Sequence, residues 1–175
     1  MSLFTPQHEE FRKRVRGLVA ARLTPNADQW EQEQGFPKSL IPELGKEGWF
    51  GLTQPVAYGG GGLDFGYDVV VAEELPRSKM MGLTLSLIAQ THFFLPLISS
   101  LGTEEQKREF LAPAIRGEKI GALAVTEPTG GSDIVRAVRC EATDDGDLWV
   151  LNGEKKFITN GPIADFILVL ARTRP

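Results

Sequence analysis

Residues 120–133 read Ile120-Gly121-Ala122-Leu123-Ala124-Val125-Thr126-Glu127-Pro128-Thr129-Gly130-Gly131-Ser132-Asp133, and a change of character sets in here. Before this stretch, apolar residues recur at helical spacing; from Ile120 onward they come in short runs separated by turn residues. The apolar run stops at Thr126 and opens into a loop holding Pro128, Gly130, Gly131 and Ser132. That combination places hydroxyls and bare backbone N–H groups at the end of a strand. A second segment, Lys155-Lys156-Phe157-Ile158-Thr159-Asn160-Gly161, repeats the theme with an aromatic residue and a threonine. Two polar-tipped strands, one with an aromatic wall, suit a flat, hydrogen-bonding ring cofactor better than a metal or a bare phosphate.

The switch predicts an α+β chain with a domain boundary near residue 119, all-α helical over 1–118 and stranded over 119–175. On the helical side, Thr5 caps a first helix with Pro6 at its first position; Phe11, Val15, Leu18 and Val19 share one face, and Pro25 ends the pattern. Shorter helices are expected over 38–47 and 67–75. Residues 80–101 carry no formal charge, a length that admits a membrane span, but Gln90, Thr91 and His92 interrupt the middle. A buried central helix, kinked or ended by Pro96, is the expectation. Thr103-Glu-Glu-Gln106 forms a capping box, Pro113 bends the helix that follows and Gly117 closes it. On the β side, strands are expected over 120–126, 138–143, 148–151, 155–159 and 166–172, with Asp144–Asp147 and Asn152-Gly153 as hairpin turns.

Composition narrows the function. The formal net charge is −4 and the pI near 5.3, so there is no basic footprint for nucleic acid. The single cysteine, Cys140, excludes an internal disulfide, and two histidines without Cys/His spacing suggest no zinc site. The early residues Glu9, Glu10 and Arg12 interrupt any secretory signal, so a cytoplasmic location is expected.

Val125-Thr-Glu-Pro-Thr-Gly-Gly-Ser-Asp133 resembles the TEPxxGSD signature of the acyl-CoA dehydrogenase family, and Lys156-Phe-Ile-Thr-Asn-Gly161 its second flavin motif. Gly102-Thr-Glu-Glu-Gln106 and Gly117-Glu118 resemble the usual lead-in, so the likeness runs over essentially the whole chain. It implies an all-α helical domain followed by an incomplete antiparallel, barrel-like middle β-domain, without the C-terminal bundle that carries the family's catalytic glutamate. It implies FAD as cofactor, with Leu123, Val125, Thr126, Gly131, Ser132, Phe157, Ile158 and Thr159 at the binding positions. Thr126 would bond the polar edge of the flavin, Ser132 would meet the pyrophosphate and reach substrate, and Thr159 would bond near the reactive N5. Gly130 stands where the motif often has alanine, and Phe157 where tryptophan is common. The implied substrate is an acyl-CoA thioester, dehydrogenated between its α and β carbons, with an electron-transfer flavoprotein as electron acceptor and a homo-oligomer or complementary chain as assembly.

Read without the resemblance, Thr126 and Ser132 could equally cap an ordinary turn, and Phe157 could be a core residue of its strand. Glu127 and Asp133 are expected to order their loops rather than to act as acid or base. Gln90 and His92 could line an acyl pocket, or His92 could be a satisfied core histidine. Catalytic residues are expected to be none. Two other functions stay open: a non-catalytic fragment or subunit that needs a partner chain, and a flavin oxidase or monooxygenase on the same scaffold.

Overall fold

The computed structural model describes residues 3–173. Helix α1 (Pro6–Leu18) starts on a reciprocal cap: the Thr5 hydroxyl accepts from the His8 N–H at 3.3 Å, and His8 Nδ1 accepts from the Thr5 N–H at 3.1 Å. With Nδ1 accepting, the ring proton sits on Nε2, which donates to Asp64 Oδ1 at 2.9 Å. Asp64 itself caps α4 (Phe65–Glu74), so His8 ties the starts of two packed helices together. Between them lie α2 (Ala27–Gln32) and α3 (Leu40–Lys46).

Pro25 does not end the first helical run. A π turn (Val19–Leu23) and a 3-10 turn (Thr24–Asn26) carry the chain through it into α2. The same device recurs. α5 (Met81–Ile88) continues through a π turn (Ala89–Phe94) into α6 (Leu95–Leu101), and α7 (Glu104–Gln106) through another (Lys107–Leu111) into α8 (Ala112–Ile115). Each π turn ends two residues before a proline: Pro25, Pro96 and Pro113. A helical proline cannot donate to the carbonyl four residues back and clashes with it. The wider turn lets that carbonyl move aside, and Thr24, Leu95 and Ala112 donate instead to Val19, Gln90 and Lys107. Pro96 is thus absorbed inside one continuous helix, Met81–Leu101, long and apolar enough by length and composition to cross a membrane. In this fold its residues Leu83, Leu87, Phe94, Leu95 and Ile98 lie in the core beside Val15, Val19, Leu44 and Val70. The expected capping box at Thr103 is present, and α8 closes on Gly117 (φ 71°), with Gly117 and Glu118 donating back to Ala114 and Pro113.

The β part is smaller than expected. Strands β1 (Gly121–Ala124) and β4 (Phe166–Val169) pair parallel, with Gly121 opposite Phe166. Strands β2 (Glu141–Asp144) and β3 (Trp149–Asn152) pair antiparallel. No closed barrel forms among the described residues, and the antiparallel expectation fails for β1 and β4. The long excursion through the β2–β3 hairpin brings the chain back to β1 in its original direction. The turn at Asp144–Asp147 is as expected, with Gly146 at φ 82°. Asn152-Gly153 makes no hairpin. Gly153 (φ 152°) instead runs so close to Cys140 that a Cβ would sit 2.6 Å from its Cα, and the chain leaves the sheet there.

β1 is seated on the long helix. A Cβ on Gly121 would lie 2.5 Å from Cγ of Phe94, whose ring centroid is 4.8 Å from that of Phe166 with the rings inclined at 49°. Gln90, 2 % exposed, accepts from the Gly121 N–H at 2.8 Å and donates to the carbonyls of Lys119 (3.1 Å) and Ala114 (3.3 Å). Its whole side chain is spent on backbone, so it does not line a pocket as the sequence allowed.

Candidate functional site

Past Ala124 the chain leaves the β1–β4 pair. Residues Glu127 to Gly130 fold into a tight turn closed by two backbone bonds (3.2 and 3.1 Å), and the Thr129 hydroxyl donates to Ala137 O at 3.1 Å. Asp133 caps the short helix α9 (Ile134–Ala137) by accepting from the Arg136 N–H. Arg172 closes the far side, its guanidinium donating to the carbonyls of Val138 and Val135 at 2.6 and 2.8 Å.

Beneath this loop Glu127 is buried at 3 % exposure. It accepts from Lys155 Nζ at 2.7 Å and from the N–H groups of Arg139 (2.6 Å) and Cys140 (2.9 Å). The Lys155 bond, against the opposing effect of burial and with help from the two N–H groups, holds the Glu127 carboxyl down at about 2. It stays an anion at any physiological pH, as a structural carboxylate should. Lys155 also donates to Val125 O at 3.1 Å. Next to it, the Lys156 N–H donates to Thr126 O at 2.9 Å. The two polar segments singled out from sequence are therefore hydrogen-bonded to one another.

The second segment is not a strand. Among the described residues a single backbone bond joins it to the β1 tip, and Phe157 takes φ 58°, a left-handed conformation costly for an aromatic residue. Its ring is 83 % exposed, with Lys156 Nζ 4.9 Å from the centroid, so Phe157 is no core residue. Asn160, also left-handed (φ 68°), is pinned by the Ser86 hydroxyl at 2.5 Å and donates to Ser86 O at 3.1 Å.

The hydroxyls of Thr126, Ser132 and Thr159 bond to nothing else among the described residues. This bears directly on the ordinary-turn reading, in which they would cap backbone; here backbone capping falls to Glu127, Thr129 and Asp133. Gly131 lies against Thr126, where a Cβ would come to 3.4 Å from its methyl. Unbonded hydroxyls, a bare glycine turn and an exposed aromatic face fit a planar polar ring.

The predicted residues do not all share one hollow. Thr159 opens, with Asn160, Trp30, Phe36, Met80 and Ser86, onto a cavity of about 510 Å³. Leu123 faces a different groove of about 310 Å³ with Leu97, Leu101 and Leu168. His92 is half-buried with its Nδ1 2.7 Å from the Thr91 hydroxyl. Sequence reasoning missed Lys155 and Asn160 as site-shaping residues. Asparagine's tolerance of left-handed backbone was the available signal for the second; a lysine next to a lysine gave none for the first.

Two family descriptions match the chain: "Acyl-CoA dehydrogenase, N-terminal domain" over residues 5–118 and "Acyl-CoA dehydrogenase, middle domain" over 122–175. A 3-(aryl)acrylate reductase from Clostridium sporogenes is 42% identical over 174 residues, covering 97% of this chain and 45% of that protein. The crystal structure of an acyl-CoA dehydrogenase from Geobacillus kaustophilus superposes with TM-score 0.93 at 36% identity, covering 99% of this chain and 45% of that one. A glutaryl-CoA dehydrogenase from Mycobacterium smegmatis, solved in complex with FADH2, superposes at 0.91 with 32% identity over 97% of this chain and 43% of that one. The chain thus spans less than half the length of these relatives.

Proposed function

Because the chain belongs to the acyl-CoA dehydrogenase family, we propose that it binds FAD and supplies the flavin half of an α,β-dehydrogenation of an acyl-CoA thioester. The observation that carries this reading is the 2.9 Å bond from Lys156 N to Thr126 O, which sets two segments with unbonded hydroxyls side by side. Bound FAD would supply hydride acceptance from the β carbon. The chain's own residues prepare for it. Thr126 and Thr159 offer hydroxyl donors to the ring, and such donors favour a ring that has gained electron density. Ser132, on the glycine turn, offers its hydroxyl and neighbouring N–H groups to the pyrophosphate and to substrate. Val125, Gly131 and Ile158 let backbone approach the ring, and Phe157 covers one edge; Leu123 lies further off, along its own groove. On this reading residues 1–118 belong to the helical domain and 119–175 to the middle β-domain. No residue of this chain is assigned the proton abstraction, and an electron-transfer flavoprotein is the acceptor the family reading implies.

The name of the Clostridium sporogenes relative favours a second reading, the same chemistry run backward as reduction of a conjugated double bond. Purified protein that carries a flavin spectrum and bleaches anaerobically with acyl-CoA supports dehydrogenation. A reduced protein reoxidised by an arylacrylate or its thioester supports the reductase. Ser132→Ala should weaken FAD retention and Thr159→Ala should shift the flavin potential. A protein that takes up no FAD at micromolar cofactor would end both readings.

A further inference from the structure

Lys155 and Glu127 form the only ion pair among the described residues with both side chains at or below 10 % exposure, and it lies between the two segments of the candidate site. Its bonds brace that site. Lys155 reaches the carbonyl just before Thr126, Glu127 gathers the N–H groups of Arg139 and Cys140 beyond α9, and the residue after Lys155 bonds Thr126 itself. A buried pair is a poor source of stability, because desolvation cancels most of its attraction. It is a good source of placement, since neither partner can move without stranding a charge.

We propose that Lys155 and Glu127 are a positioning pair: together they lock the register between Thr126 and Thr159 and keep the ground beneath the flavin electrically neutral. The proposal rests on the FAD reading and goes beyond it by assigning residues that need not touch the cofactor. Its electrostatic part has a signature that loosened packing lacks. Glu127→Gln leaves the Lys155 ammonium uncompensated, which favours the electron-rich reduced ring and raises the flavin potential. Lys155→Met leaves Glu127 an anion, still held by Arg139 and Cys140, and lowers it.

The test uses the full chain with FAD: wild type, Glu127→Gln, Lys155→Met, the double variant and Lys155→Arg. Both single variants should retain FAD on the order of tenfold to a hundredfold less tightly, the loss typical when an outer support of a bound group is removed. Their potentials should move in opposite directions, the double variant should return towards the wild-type potential while still holding FAD weakly, and Lys155→Arg should recover most of the retention. In flavin-free protein, hydrogen exchange at the Lys156 amide should quicken in both single variants, a readout that survives if one variant loads too little flavin to titrate. Potentials moving the same way in both variants, or FAD held as in wild type with unchanged exchange, would overturn the pair's role while leaving the FAD reading intact. A wild-type chain that takes up no FAD would instead refute the reading on which the pair depends.

Discussion

Replacing Gln90 with leucine keeps the volume of a side chain that is 2 % exposed and removes all its polar atoms. Three backbone groups lose a partner, and they are not equivalent. The Gly121 N–H is buried and bonds Gln90 at 2.8 Å, so stranding it costs about 1–3 kcal/mol. The Lys119 carbonyl, bonded at 3.1 Å, contributes about 1 kcal/mol more. The Ala114 carbonyl still receives the Gly117 N–H at 3.1 Å and contributes little. The expected loss is roughly 2–4 kcal/mol, a large part of a typical margin of about 5–15 kcal/mol. For a chain of this size it lowers Tm by roughly 4–16 °C. Circular-dichroism melts and urea titrations of Gln90→Leu would measure it, beside Gln29→Leu, an exposed glutamine bonded only to Glu33, expected within about 0.5 kcal/mol of wild type. A Gln90 variant within about 2 °C of wild type, with an unchanged urea slope, would refute the view that this amide seats β1 on the long helix.

Further outcomes follow from the same geometry. Gly121→Ala drives a Cβ to 2.5 Å from the Phe94 ring and should cost about 1–3 kcal/mol by overpacking, read as a lower Tm; a neutral change would mean that Phe94 moves freely. Glu127, depressed from 4.5 to about 2, contributes stability that is whole above 4.5 and lost as pH falls towards 2. Glu127→Gln should therefore flatten the acid side of a Tm–pH curve, and an unchanged slope would show that other carboxylates govern it. Burial raises the Asp68 carboxyl against the bond from Thr53, so its ionisation costs stability as pH rises through the folded value. Asp68→Asn should raise Tm more in mildly alkaline than in acidic buffer, where both side chains are neutral; an equal gain in both would remove the titration argument.

Much of the helical part was legible because its signals are local. The cap at Thr5, the box at Thr103 and the glycine stop at Gly117 each involve residues a few positions apart. Pro25 misled for the opposite reason. It reads as a stop, but whether a helix ends or widens depends on what its continuation can bury, and Ala27 and Trp30 of α2 are both in the core. In the β part, the glycine turn and its hydroxyls were read from spacing, while pairing was not. Four-residue strands carry too little pattern to say which partner they find or in which direction. Asn152-Gly153 carried the dipeptide of a tight hairpin, yet the glycine serves the close approach to Cys140, a contact that no local reading contains.

The shortness of those strands bears on how the site is held. Among the described residues β1 has one strand partner, and the segment carrying Phe157 and Thr159 has none, so the sheet bonding described leaves both tips free to shift. What restrains them is a set of buried polar side chains whose bonds go to backbone. Gln90 grips the start of β1, Glu127 and Lys155 grip its end, and Asn160 ties the Thr159 segment to Ser86 on α5. Apolar attraction is non-directional, so it fixes a register less sharply than a hydrogen bond does. A buried amide or carboxylate fixes it sharply, because a shift of an ångström breaks its bonds and leaves donors unpaired at full desolvation cost. Placement in this chain therefore resides in a few polar residues rather than in core volume. Conservative core changes such as Leu87→Met should leave Thr126 and Thr159 in place, whereas loss of one amide at Gln90 or Asn160 should not.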